Sequence, residues 1–264
     1  MTLKIKFILW HIFNYKYSFQ LFILFINYFI KNKTKNNQVL KKWIASNLIS
    51  VENFFKNQNF KLKNFYFENK SITEEAEEIE KNITNLIIKA DKTKLGGRAD
   101  LNLLYNLVFL KNPKLILETG VALGWSSLSI LTALKKNSNF GSRLISIDMR
   151  YPLVKNYNKY RAIVVQDKSN WHLIDAIDFF GIFKADKIIN NKKYDLIHYD
   201  SDKTYLGRRI SYMRLWKRLN IGGYFLSDDI SDNTAFFDFC ESKKLIPNIF
   251  ELNNRYVGLL IKSK

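Results

Sequence analysis

Several short segments carry side chains whose types and spacing could do chemistry. Glu118-Thr119-Gly120-Val121-Ala122-Leu123-Gly124-Trp125-Ser126-Ser127 reads E-x-G-x-x-x-G and runs directly into a helical pattern. At Gly120 the backbone can approach a bound molecule closely, and Gly124 lets the helix start tight against the preceding strand. The spacing is not the G-x-G-x-x-G of a dinucleotide site. Asp148 ends the next apolar run, where an acidic side chain can accept hydrogen bonds from both hydroxyls of a ribose. Gln166-Asp167 closes a further run, AIVVQ, from which a side chain could reach an adenine edge. Asp200-Ser201-Asp202-Lys203-Thr204-Tyr205 and Ser227-Asp228-Asp229 close two more.

These residues need elements that bring them together. From Pro113 onward, short apolar runs alternate with helical stretches. LILE (115–118), RLISID (143–148), AIVVQ (162–166), YDLIHYD (194–200) and GGYFLSDD (222–229) read as strands. The stretches 124–136, 170–183, 204–219 and 233–244 read as helices, and NIFEL with RYVGLLI around Asn253-Asn254 reads as a closing hairpin. The alternation predicts an α/β fold: a Rossmann-like doubly wound sheet, mostly parallel, with a C-terminal antiparallel hairpin. In such sheets ligands bind outside the carboxyl ends of the strands. The chemically interesting residues fall at those ends.

In this order the segments resemble a class I S-adenosylmethionine-dependent methyltransferase, nearest to the small-molecule O-methyltransferase-like group. LILETGVALGWSSLSIL resembles that group's cofactor loop and LISID its ribose-binding strand. YDLIHYDSDKTY resembles its fourth strand, and LNIGGYFLSDDI its fifth. The likeness covers roughly Gly96 to Lys244. It implies that Glu118, Gly120, Gly124 and Ser126 form the loop holding the methionine part of the cofactor, that Asp148 holds the ribose, and that Asp167 lies near the adenine. Asp200 is implied at both the cofactor and the catalytic centre. Metal-dependent members bind a divalent ion at positions matching Asp200, Asp228 and Asp229, and Mg²⁺ or another hard cation accepts such oxygen ligands. The alternative is that these aspartates serve the cofactor side or cap helices. Lys203 stands where many relatives carry histidine; it would serve as general base only if burial lowered its pKa, and otherwise as a solvated or ion-paired cation. His198 reads as a core residue. The implied activity is methyl transfer to a hydroxyl of a small molecule or glycan.

The chain has 264 residues and a net charge of +18. A single cysteine, Cys240, excludes an internal disulfide framework and a cysteine-based zinc cluster. His11, His172 and His198 are too far apart in sequence for a local metal motif. Residues 1–70 hold twelve lysines against Glu52 and Glu68. Such charge suits anionic lipid, nucleic acid or an acidic partner, or reflects a solvated lysine face. Nucleic-acid methylation is the weaker reading, since the N/D/S-P-P-aromatic motif of base methyltransferases is absent: Pro113, Pro152 and Pro247 are isolated. Residues 7–30 are the most apolar stretch. Their uncharged run, Tyr17 to Ile30, is shorter than the roughly 20 residues that span a bilayer, and no small-residue cleavage site follows. The stretch is therefore expected either to pack on the core or a partner, or to lie peripherally on a membrane. A non-catalytic, membrane-tethered binding module of the same fold is the remaining alternative. The expected division is a helical N-terminal extension over 1–95 and a catalytic domain over 96–264, with a cytoplasmic location, peripheral on the inner face of the membrane. The acceptor and the oligomeric state are not legible in the sequence.

Overall fold

The computed structural model describes residues 2–30, 37–60, 72, 74, 76–82, 101–137, 141–152, 154 and 156–263. One seven-stranded sheet organises them, with strand order β3-β2-β1-β4-β5-β7-β6. The strands are β1 (Leu115–Thr119), β2 (Arg143–Asp148), β3 (Trp171–Asp175), β4 (Tyr194–Tyr199), β5 (Leu219–Ser227), β6 (Asn248–Leu252) and β7 (Arg255–Ile261). The pairs among β1 to β5 are parallel; β7 runs antiparallel to both β5 and β6. The hairpin joining β6 to β7 turns on Asn253 and Asn254, both at positive φ (49° and 62°). A two-residue turn with both centres in that region matches the strand twist, and asparagine tolerates it.

Helices cover both faces. In chain order they are α1 (Leu3–Phe13), α2 (Phe19–Ile30), α3 (Asn37–Ser46), α4 (Val51–Asn57), α5 (Leu101–Lys111), α6 (Trp125–Lys136), α7 (Tyr157–Tyr160), α8 (Asp178–Ile188), α9 (Tyr205–Arg218) and α10 (Ala235–Lys243). The central strands are buried on both sides, so their sequences read as continuous apolar runs. The two sheet faces each build a core. One centres on Leu103, Leu104, Ile116, Leu144 and Leu196; the other on Ile145, Ile197, Tyr212, Phe225 and Phe239.

The N-terminal helices are part of this packing. Leu40 and Ile44 of α3 join the second core, and Phe54 of α4 meets Phe250 edge-on at 5.5 Å in the first. Leu48 bridges to Ile249 beside β6. Residues 76–82 are helical, and the boundary expected at 95/96 lies outside the described residues.

The third strand departs from expectation. Residues 162–166 form a turn and irregular chain, and the strand is Trp171–Asp175, inside the stretch read as a helix. AIVVQ is apolar for another reason. Ala162, Val164 and Val165 are buried against the glycine loop, where Ala162 donates its N–H to the Ala122 carbonyl and Val164 to that of Leu123. The helix signal of 170–183 comes from its second half, the start of α8 at Asp178.

Candidate active site

The loop after β1 is fixed by backbone. Gly120 donates to the Ile147 carbonyl at 2.8 Å, and Asp200 donates to the Thr119 carbonyl at 2.9 Å. Gly120 sits at φ +82°, and a Cβ there would fall on the Asp200 carbonyl. Gly124 caps α6 at φ +96°, and its Cβ would press on Val165 and Ala162. Both glycines are thus required by conformation and by close approach.

Glu118 lies beneath this loop and is fully buried. Its carboxylate accepts from Ser126 Oγ (2.5 Å), Ser127 Oγ (2.6 Å) and Ser146 Oγ (2.6 Å). Ser146 in turn accepts from Trp171 Nε1 at 2.7 Å. His198 stands between two carboxylates, Nδ1 at 3.8 Å from Glu118 and Nε2 at 3.6 Å from Asp228. Burial alone would lower its pKa; Asp228 and Glu118 outweigh that and push it up to about 10. The two carboxylates thus favour the charged form of His198, which is a fully buried core residue. Glu118 and Ser126 are directed to one another, and neither lines the cavity described next.

A cavity of about 610 Å³ lies at the carboxyl end of the sheet. Gly120, Asp148, Asp178 and Lys203 are among its lining, with Tyr151 after β2 and Asn233 after β5. Asp148 is almost fully buried; it accepts from the Val121 N–H at 3.1 Å and from the Tyr157 hydroxyl at 2.5 Å. Burial raises its pKa to about 7, against the lowering effect of the Tyr157 bond and of Arg161. The Ala122 N–H also reaches it, so of a carboxylate's about four acceptor positions roughly one remains for a ribose hydroxyl.

Asp167 is not brought into this group. It lies in the irregular segment before β3, more than half exposed, and pairs with Lys135 at 3.7 Å. The place at the end of the third strand is taken by Asp175 and Asp178. Asp178 accepts from Ser201 Oγ (2.5 Å) and Tyr199 OH (3.0 Å), and burial, then the charge of Asp202, lift its pKa to about 6. The sequence does not point to it, because the strand is expected at 162–166 and Asp178 then falls inside the expected helix 170–183.

Asp200, Asp228 and Asp229 do not converge on one point. Lys203 Nζ bonds Asp200 Oδ1 and, at 2.8 Å, Asp229 Oδ2, so an ammonium sits between two of the three carboxylates. The third, Asp228, faces His198. Among the described residues no group of three or more His, Cys, Asp or Glu side chains is placed to hold a metal ion. A divalent ion bound by these three aspartates does not fit this arrangement, because the cations that neutralise them belong to the chain. Burial, the largest influence on Lys203, would lower its pKa, but Asp200 and Asp229 outweigh it and the net shift is upward. A lysine held charged cannot act as general base. Lys203 is ion-paired in this structure, the arrangement of the alternative expectation.

The remaining wall comes from the N-terminal helices. Phe7 and His11 of α1 and Gln20, Leu24 and Asn27 of α2 line the cavity. Gln20 Nε2 donates to Asp202 at 3.0 Å, and the Leu206 N–H donates to Asn27 Oδ1 at 3.2 Å. Lys16 and Tyr17 both bond Asp175. His11 is fully buried, with Nδ1 3.0 Å from the Phe7 carbonyl and Nε2 without a hydrogen-bond partner. Nothing in the sequence singled these residues out, since the spacing of 7–30 reports apolarity and not which face meets the site.

The comparisons agree with this geometry. Residues 117–230 match the family model described as a methyltransferase domain. The fold is similar to an O-methyltransferase from Bacillus cereus solved in complex with SAH, at TM-score 0.52 and 13% identity over 72% of this chain and 91% of that one. It is also similar to a provisionally assigned caffeoyl-CoA O-methyltransferase from Staphylococcus aureus, at TM-score 0.51 and 15% identity over 74% of this chain and 99% of that one. No curated protein sequence matches the chain. Residues 117–230 thus match a methyltransferase-domain model, and the glycine loop, the acidic end of β2 and the strand order give this chain the fold of those O-methyltransferase structures.

Proposed function

We propose that the protein transfers the methyl group of S-adenosylmethionine to a hydroxyl oxygen of a small-molecule or glycan acceptor. The observation that carries this reading is the shared cavity: Gly120 and Asp148 on the cofactor side, Lys203 and the loop Ser201–Tyr205 on the other. Bound there, the cofactor supplies an activated methyl on a sulfonium. Asp148 is assigned to the ribose and Asp178, at the end of the third strand, to the base edge. Gly120 lets the methionine part lie against the loop backbone.

Lys203 is assigned the cationic role that a metal fills in metal-dependent relatives. Its ammonium has three donors; two go to Asp200 and Asp229, and the third is assigned to the acceptor oxygen. A fixed cation beside a hydroxyl favours its deprotonated form. Asp200 is the assigned proton acceptor. Burial, then the charge of Asp228, hold it above the usual carboxylate range, while Lys203 keeps it in place. The remaining acceleration comes from in-line positioning of donor and acceptor.

The test is transfer from methyl-labelled S-adenosylmethionine to a panel of hydroxyl, amine and thiol acceptors, with products identified by mass spectrometry. Methyl ethers are expected. Methylated amines or thiols alone would overturn the oxygen assignment.

Turnover on this reading is unaffected by excess chelator. Lys203→Met should lower kcat by about 10²-fold, the effect of removing one charged donor from a reacting oxygen, while cofactor affinity is retained. Activity lost on chelation and restored by Mg²⁺ would contradict the assignment of Lys203.

A pH dependence follows from Asp148. Its ribose bonds need the ionised carboxylate, and its pKa in the folded protein is about 7. Cofactor affinity should be full above that pH. It should fall as pH drops through 7, approaching tenfold per unit, because protonation then competes with binding. Calorimetric titrations between pH 5.5 and 8.5 would show it; a flat profile would place the ribose elsewhere.

A further inference from the structure

The two N-terminal helices have different inner and outer faces. On the inner side, Phe7 and His11 of α1 and Gln20, Leu24 and Asn27 of α2 wall the cavity. On the outer side, Ile5, Ile8 and Ile12 follow one another at helical spacing on α1, and Phe22, Phe25 and Phe29 do so on α2. All six are exposed, Phe25 to 64% and Phe29 to 61%. Single exposed apolar side chains are ordinary, but two adjoining helices that each expose a stripe of them make an interaction surface.

The charge around this surface selects its occupant. No acidic residue occurs before Glu52, while Lys4 and Lys6 lie exposed on α1 and the whole chain carries +18. A second copy docked on the same face would bring like charges together. An anionic bilayer supplies both an apolar layer and the opposite charge, and apolar area combined with nearby lysines is what stable peripheral attachment needs. Among the described residues no helix is long and apolar enough to cross a membrane, and twelve residues of α2 extend only about 18 Å. Helices of this length and character suit a membrane surface and not a span.

The geometry points to a peripheral methyltransferase that docks on anionic membrane through the outer stripes of α1 and α2, and whose acceptor hydroxyl belongs to the headgroup of a membrane-borne amphiphile. The docking face and the cavity wall are the two sides of the same helices, so the site lies about one helix diameter, roughly 10 Å, from the lipid surface. This rests on the methyl-transfer reading above for the acceptor, but not for the docking.

The experiment has two arms. In the first, full-length protein is sedimented with phosphatidylcholine vesicles with and without phosphatidylglycerol. Binding is expected to the anionic vesicles alone, weakening as salt is raised. The double variant F22E/F25E should bind at least tenfold more weakly while keeping its circular dichroism spectrum and its affinity for S-adenosylmethionine. Ile8→Glu on the other helix provides a second variant if the double variant does not fold. No vesicle binding, equal binding by the variants, or a concentration-dependent dimer that the variants abolish would overturn the docking. In the second arm, tritium from methyl-labelled S-adenosylmethionine is followed into solvent-extracted membrane lipids and into the aqueous pool. Label is expected in the lipids. Label in the aqueous pool alone, or in neither, would overturn the acceptor class. Failure of the wild-type protein to bind S-adenosylmethionine would instead overturn the methyl-transfer reading and leave the docking result standing.

Discussion

Glu118→Ala is expected to destabilise the protein by about 3–5 kcal/mol, measured by urea unfolding. The side chain is fully buried and is the common acceptor for Ser126, Ser127 and Ser146. It is also one of the two carboxylates flanking the buried His198 and favouring its charged form. Its removal leaves three buried hydroxyls without their acceptor and takes away half of the counter-charge of a buried cation. Each orphaned group costs about 1–3 kcal/mol, and a buried charge more. Partial relaxation and water entry keep the total below the sum. Glu118→Gln should lie in between, because the amide oxygen still accepts and Asp228 still pairs with His198. A loss under about 1 kcal/mol for the alanine variant would show that the network does not hold β1, β2 and α6 together.

Gly120→Ala has the second largest expected effect, and it reaches function directly. Two costs combine: a positive φ of 82° and a methyl placed on the Asp200 carbonyl, which is itself held by the hydrogen bond from Asp200 to Thr119. About 2–4 kcal/mol of stability should be lost, and cofactor affinity should fall at least tenfold as the loop moves off the ligand. Gly141→Ala is the control. It has a similar φ, +95°, but nothing within 4 Å of its added Cβ, so it carries the conformational cost alone, about 1–2 kcal/mol. Equal effects from the two substitutions would mean that the contact with Asp200 contributes nothing.

Much of this was legible in the sequence where a residue's chemistry and its strand period agree. β1, β2, β4 and β5 are apolar because they are buried on both faces, so their ends, and with them Gly120, Asp148, Asp200 and Asp228, fall where the alternation puts them. The closing hairpin follows from Asn253-Asn254. β3 failed because it is an edge strand: its burial is partial, His172 faces solvent, and the competing apolar run at 162–165 is buried by the glycine loop instead of by sheet neighbours. Asp167 was misplaced with it and Asp178 overlooked.

The three aspartates show a different limit. Three aspartates at neighbouring strand ends look alike in sequence, and only the fold shows that Lys203 enters between Asp200 and Asp229 while His198 takes Asp228. The N-terminal helices show a third limit. In a mostly apolar, aromatic stretch the few polar side chains do not say which face meets the site, and its role as cavity wall depends on Gln20 and Asn27 finding Asp202 and the Leu206 N–H across the chain.

The central claim is that the loop after β1 and Asp148 form a nucleoside-sulfonium site. Isothermal calorimetry of the wild-type protein and Asp148→Ala with S-adenosylmethionine and S-adenosylhomocysteine tests it most directly. One molecule should bind per chain, and the substitution should cost about 1.5–3 kcal/mol through loss of hydrogen bonds to an ionised acceptor, roughly ten- to a hundredfold in Kd. Absence of binding heat with either nucleoside, or an unchanged affinity for Asp148→Ala, would contradict the account.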